Sequence, residues 1–337
     1  MNYFSKEENR LFSMIADSLT NTQNHITDAK VPADEEPDFH ALIELAGHHA
    51  VLPMIYQQIV KEPGIAREDL DFLEMMTKQT AAEFYQILFN ARNSVQLLMK
   101  NGIPVILLKG ASVARFYPAA EARKSSDVDL FLVNPDDLAH AEKVLKAAGY
   151  HPMDEQHANH HVLWGTPDNH ALELHTTLIE PTEDKKLNQY IRNRYTLPSE
   201  EMPEETILGI SFPVFSDDLL AFHLLLHMLM DFLAAGFGLK LLCDCVVFWN
   251  RNVEPSLVKN FLQDIESCNL SNFLSAVTSA CVRFLGLRAD GSGTLAQKGE
   301  KLYCGDEAFC TLLPEAFTAE FMQDILDAER NGKPDSD

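Results

Sequence analysis

The sequence predicts a mixed α/β (α+β) fold, in which a small mixed-sheet core is flanked by N-terminal and C-terminal helical segments. Three observations carry that expectation. Apolar residues recur every third or fourth position from about 66 to 100, which is the stripe of a long helix. Short, continuous apolar runs then appear at 103–108 and 127–133, as buried strands require. From 216 onward the helical spacing returns. The expected segments are therefore 1–102, helical; 103–215, the α/β core; and 216–337, helical.

Each element has a local reason. Ser5 and Glu8 have the spacing of a capping box, and Leu11, Met14, Ile15 and Leu19 follow at helical intervals. Residues 21–37 are polar and carry Pro32 and Pro37, so a surface connection is expected there. Asp38 can cap a helix bearing Leu42, Ile43 and Leu45, and Pro53 opens or bends another. The long stripe runs through Leu70, Leu73, Met76, Thr80, Phe84, Leu88, Ala91, Val95 and Leu98, and Asn101-Gly102 ends it. Gly110 opens a helix to about Tyr117, and Asn134-Pro135-Asp136-Asp137 starts one that reaches Gly149. Residues 161–164 and 170–176 flank Gly165-Thr166-Pro167-Asp168-Asn169, the signal of an antiparallel hairpin. A further extended segment is expected at 207–215. Ser216-Asp217-Asp218 caps an apolar helix that gives way at Gly236-Phe237-Gly238 to another at about 241–250. Two or three more helices follow, the last from Pro314 to about Arg330.

Composition narrows the classes of function. At 337 residues and 46% apolar content, the chain is long enough for two globular units. It has no run of about 18 apolar residues, and Met1-Asn2-Tyr3-Phe4-Ser5-Lys6-Glu7-Glu8 lacks the regions of a signal peptide, so a cytoplasmic location away from membranes is expected. Cys243, Cys245, Cys268, Cys281, Cys304 and Cys310 form no C-x-x-C pair and read as reduced, mostly buried thiols. A formal charge of −23 disfavours a polynucleotide partner, whose affinity depends on a basic groove. A metal-bound nucleotide remains acceptable, because the metal neutralises part of the phosphate charge.

The chemistry concentrates in Lys109-Gly110-Ala111-Ser112 and Asp127-Val128-Asp129. At a strand's period of two, both aspartates leave the sheet on one side, roughly 6.5–7 Å apart at Cα. Their repulsion at an effective dielectric near 20 is on the order of 2 kcal/mol, so a cation, an ion-pair partner or protonation must offset it. A divalent metal meets that need, and Glu173 in Ala171-Leu172-Glu173-Leu174-His175 supplies a third carboxylate. Strand, glycine turn, helix, Asp-x-Asp strand and acidic strand is the order that metal-assisted nucleotidyl transfer requires. Backbone N–H groups at the helix start hold the outer phosphates of a nucleoside triphosphate. The carboxylates hold two Mg²⁺ ions, with Mn²⁺ as the alternative, since hard cations take oxygen ligands. Lys109 beside the turn and Arg123 ahead of Asp127 are the basic candidates for phosphate contact. His175 shares a face with Glu173 and can support it.

Leu108-Lys109-Gly110-Ala111, Tyr117-Pro118, Arg123, Asp127-Val128-Asp129-Leu130, Gly149-Tyr150 and Glu173-Leu174-His175 together resemble the uncharacterised nucleotidyltransferase family of the DNA polymerase β superfamily. The likeness extends to Ala46-Gly47-His48-His49-Ala50-Val51-Leu52-Pro53 and to His227 with residues 239–244. It implies a nucleotidyltransferase core in which Asp127 and Asp129 bind the metals. Glu173 takes the third-carboxylate place and helps deprotonate an acceptor hydroxyl, and Gly110, Ala111 and Ser112 contact phosphates. The implied partners are a nucleoside triphosphate and a hydroxyl-bearing acceptor, small molecule or protein. Two departures from the superfamily pattern stand out: Ala111 directly follows the glycine, and the third acid is Glu rather than Asp.

Those departures support a second reading, a nucleotide- or partner-binding protein of the same fold without turnover. A third is a metal-dependent phosphohydrolase built on the histidine-rich hairpin, where His157, His160, His161, His170 and His175 crowd together. The absence of a His-Glu-x-x-His helix argues against zinc there. His223 and His227, followed by Asp231, read as satisfied core polar residues. Neither a Gly-x-Ser-x-Gly elbow nor a Walker loop is present.

Overall fold

A computed structural model describes residues 3–20, 37–153, 161–196 and 202–330. Most of the expected connection at 21–37, and His157 and His160, lie outside the described residues. The chain opens with helices α1 (Lys6–Thr20), α2 (Phe39–His48), α3 (Tyr56–Ile59) and the 34-residue α4 (Arg67–Lys100). Strand β1 (Val105–Leu107), helix α5 (Lys109–Ala114), strand β2 (Asp127–Leu132) and helix α6 (Leu138–Ala147) follow. Next come β3 (His151–Pro152), β4 (His161–Gly165), β5 (Ala171–His175), α7 (Lys185–Arg194), β6 (Glu204–Ile207) and β7 (Ile210–Pro213). The remainder is α8 (Asp217–Ala234), α9 (Leu239–Trp249), α10 (Pro255–Ser267), α11 (Ser271–Phe284), β8 (Ala296–Lys298), β9 (Lys301–Cys304), β10 (Glu307–Thr311) and α12 (Glu315–Arg330).

The architecture is the mixed sheet with flanking helices that the sequence predicts. Its residues gather into two compact units that interleave along the chain. One draws on 1–80, 116–124 and 224–337, and the other on 81–115 and 125–223.

The first unit is mostly helical. At its start the capping box closes as expected, with Glu8 N–H donating to Ser5 Oγ at 3.1 Å and Ser5 N–H to Glu8 Oε2 at 2.8 Å. That satisfies two donors a helix start otherwise leaves open. Helix α1 then buries Leu11, Phe12, Met14, Ile15 and Leu19, and the rings of Phe4, Phe12 and Phe284 pack within 5.2–5.5 Å of one another. Gly236 ends α8 at φ 89°, and a Cβ built there would fall 2.2 Å from Ala328 Cβ of α12. Only glycine fits both the backbone angle and the close approach. Strands β8, β9 and β10 form a small antiparallel sheet in this unit, where only helices were expected. Gly299 and Gly305 turn them at positive φ, and none holds an apolar run as long as those at 103–108 or 127–133, so the sequence does not mark them as strands.

The second unit is organised by a five-stranded sheet in the order β1-β2-β5-β4-β3. Strand β2 pairs in parallel with β5, while β1–β2, β4–β5 and β3–β4 are antiparallel. Val128, Leu130 and Leu132 of β2 and Leu172 and Leu174 of β5 are buried and alternate with the acidic positions, so one face of the strands supplies core and the other chemistry. The strand or extended segment expected at 207–215 contains β7, which pairs with β6 in a hairpin turned by Leu208 and Gly209 at φ 47° and 84°. Helix α7, capped by the Asp184 carboxylate accepting from the N–H groups of Lys186 and Leu187, was not anticipated. Among the described residues, no helix is long and apolar enough to cross a membrane.

Candidate metal and nucleotide site

The pairing of β2 with β5 brings the predicted carboxylates together. Asp129 is the register partner of Glu173, and Asp127 that of Ala171, so Asp127, Asp129 and Glu173 project from the same face. One carboxylate oxygen from each lies within 4.8 Å of the others. Asp129 is buried and the other two are half-buried. An all-oxygen donor set of this spacing suits a hard divalent cation such as Mg²⁺.

The glycine turn abuts this group. Leu108 N–H donates to the Asp129 carbonyl at 3.0 Å, tying the end of β1 to β2. Gly110 leaves the helical path at φ 12°, ψ −106°, and a Cβ there would lie 3.8 Å from Asp129 Oδ2 and 3.7 Å from Ser125 Oγ. A side chain would thus stand directly against the carboxylate. Ala111 and Ser112 are buried within α5, and Lys109 Nζ is 3.9 Å from Asp129 Oδ1. Lys109, Gly110, Asp127, Asp129 and Glu173 are therefore gathered in one neighbourhood, with Ala111 and Ser112 in the adjoining turn of helix.

His175 lies deeper in the cluster than its sequence position alone conveys. Its Nε2 is 3.0 Å from Asp129 Oδ1 and 3.1 Å from Glu173 Oε2. Burial pulls its pKa down, but the hydrogen bonds to Asp129 and Glu173 outweigh that, and the net direction is up. His161, its cross-strand partner on β4, has its ring 5.2 Å away and Nδ1 3.9 Å from Glu173 Oε2. Burial is the main cause that lowers the His161 pKa. His223 is buried too, and burial followed by the charges of Lys109 and His175 lowers its pKa to about 3, which keeps its imidazole neutral. The sequence places His161 among the hairpin histidines and His223 among core polar residues, and it is the register of β4 and the packing of α8 that bring them into this environment.

Arg123 belongs to the other compact unit. Its Nε and Nη2 donate to Asp244 Oδ1 and Oδ2, both at 2.7 Å, and Tyr117 O–H donates to Oδ1 at 2.6 Å. All three side chains are buried. Burial, then the Asp244 charge, drives the Tyr117 pKa well up. Arg123 precedes Asp244 by 121 residues, and no short-range spacing announces the pairing.

The amino-acid pattern of the family described as uncharacterised nucleotidyltransferase matches residues 35–286. The chain belongs to that family. Membership agrees with the glycine turn and Asp-x-Asp strand on which the resemblance rests. Two solved structures are similar at a distance. One is the antibiotic-resistance factor ANT(2″)-Ia, at 14% identity over 58% of this chain and 94% of that one, with a TM-score of 0.37. The other is an antigenic nucleotidyltransferase-like protein from Paracoccidioides brasiliensis, at 15% identity over 58% and 93%, with a TM-score of 0.35. No curated protein matches the chain significantly.

Proposed function

We propose that the chain is a divalent-metal-dependent nucleotidyltransferase that moves a nucleoside monophosphate from a triphosphate to a hydroxyl acceptor. The observation that carries this reading is the convergence of Asp127, Asp129 and Glu173 beside Gly110. Asp127, Asp129 and Glu173 hold Mg²⁺, or Mn²⁺ in its place. When bound, the metal stabilises the attacking and leaving oxygens of the displacement. Residues 110–112 contact the outer phosphates, and their small side chains let the nucleotide approach the backbone. Lys109 supplies positive charge beside Asp129. Glu173, on the rim with 22% of its side chain exposed, accepts the proton of the acceptor hydroxyl.

The test is incubation with labelled ATP, GTP, CTP or UTP and Mg²⁺, reading pyrophosphate and a labelled product against Asp127→Asn with Asp129→Asn. Metal-dependent pyrophosphate release that survives the double substitution would discard the assigned site.

One observation favours a second reading, nucleotide binding without turnover. His175 stands within hydrogen-bonding distance of both Asp129 and Glu173, offering a side chain where a cation would otherwise sit. Saturable NTP binding without pyrophosphate release in any metal would select that reading.

A further inference from the structure

His161, Glu173 and His175 present a second donor set that differs in chemistry from the three carboxylates. The β4–β5 register makes His161 the direct partner of His175, and Glu173 lies two residues back on the same face of β5. Backbone pairing, rather than flexible loops, therefore holds all three donors. One ligand atom from each lies within 4.8 Å of the others. Glu173 Oε2 is 3.1 Å from His175 Nε2 and 3.9 Å from His161 Nδ1. Donors of a tetrahedral ion with bonds near 2.1 Å stand about 3.4 Å apart, a value these two distances bracket. His161 and Glu173 keep 19% and 22% of their side chains exposed, so an ion can enter from solvent while His175 forms the buried floor.

We propose that His161, Glu173 and His175 form a binding site for a zinc-type divalent transition ion, adjoining the Asp127–Asp129 seat and sharing Glu173 with it. Two imidazoles and one carboxylate favour borderline ions such as Zn²⁺ or Co²⁺ over Mg²⁺, whereas the all-oxygen set has the opposite preference. Three protein ligands leave a fourth position for water or a ligand oxygen. The chain would thus seat two chemically different ions side by side, with Glu173 facing both. This goes beyond the transfer reading: the two ligand sets share Glu173, and His175 Nε2 also stands 3.0 Å from Asp129 Oδ1.

The test uses Co²⁺ as a spectroscopic probe on the metal-stripped chain. The wild type should bind one Co²⁺ with a visible d–d band of tetrahedral type. His161→Gln should weaken binding by at least about 100-fold, the upper end of what even a supporting residue costs, and abolish the band. Asp127→Asn, which removes a neighbouring charge but no ligand of this set, should weaken cobalt binding less than His161→Gln and keep the tetrahedral band. His161→Cys, folded by far-UV circular dichroism, should restore binding and add a thiolate-to-cobalt charge-transfer absorption. The inference is overturned if the wild type shows no such band, if His161→Gln keeps it, if folded His161→Cys shows no charge-transfer absorption, or if Asp127→Asn removes cobalt as completely as His161→Gln. Pyrophosphate release is measured separately, so losing one assignment leaves the other standing.

Discussion

Asp244 and Asp129 are both buried aspartates, yet their surroundings are arranged in opposite ways. Asp244 receives two N–H donors from one guanidinium and a hydroxyl donor from Tyr117, so a single negative charge meets a matched positive charge and three hydrogen bonds. Asp129 stands with Asp127 and Glu173 in a group of three carboxylates, near Lys109 at 3.9 Å and His175 at 3.0 Å. One site balances its charge with fixed protein groups, and the other concentrates negative charge. The balanced arrangement is suited to holding a structure together, and the concentrated one to attracting a cation.

The sharpest way to break the comparison is Asp244→Ala. Removing one partner strands a buried guanidinium, and we expect a loss of about 3–5 kcal/mol of stability, read by urea unfolding. A loss below about 1 kcal/mol would mean that Asp244 is not the structural anchor described. The acidic group should respond the other way. Mg²⁺ at about 100 times its dissociation constant should stabilise the wild type by roughly 2.7 kcal/mol in thermal unfolding. In Asp127→Asn with Asp129→Asn that gain should vanish, while metal-free stability changes by less than about 2 kcal/mol. Tyr117→Phe sharpens the contrast at smaller scale, since it removes one of three hydrogen bonds to Asp244 and should cost about 1–3 kcal/mol.

A pH effect completes the series. In the β4–β5 turn, Asp168 sits between opposing influences: burial raises its pKa, while hydrogen bonds from Thr166 and Asn90 lower it, with a net downward shift. A carboxylate held below its unfolded value of 3.8 contributes stability that is present above that pH and fades as pH falls through the folded value. Asp168→Asn should therefore lower stability at neutral pH and flatten the acid limb of a melting-temperature profile. Solvent screens this exposed group, so the effect should stay under about 1 kcal/mol. An unchanged acid limb would remove Asp168 from the account of the hairpin.

Much of this arrangement was legible in the sequence because it is local. The Ser5–Glu8 box, the Asp38 cap on Ala41 N–H, the stripe of α4 and the Asp-x-Asp alternation each depend on spacings of two to four residues. The third carboxylate was readable for a related reason: once β2 and β5 lie side by side, a period of two fixes which residues face together. The Arg123–Asp244 pair and the approach of His175 to Asp129 depend on strand order or on contacts between distant segments. Spacing rules carry no information about those. The β8–β10 sheet escaped because none of its strands holds an apolar run as long as those at 103–108 and 127–133.

The parallel pairing of β2 and β5 also bears on how the site comes into being. Asp129 and His175 are 46 residues apart, whereas the β4–β5 hairpin closes over a short turn. Hairpins form in microseconds, but distant strands must first bear the entropy of closing a long loop. The two-histidine set lies wholly on the hairpin, and the carboxylate set needs the pairing of β2 with β5. During refolding the chain should gain its imidazole donors before its full complement of carboxylates, so that competence for hard cations is a late event in folding.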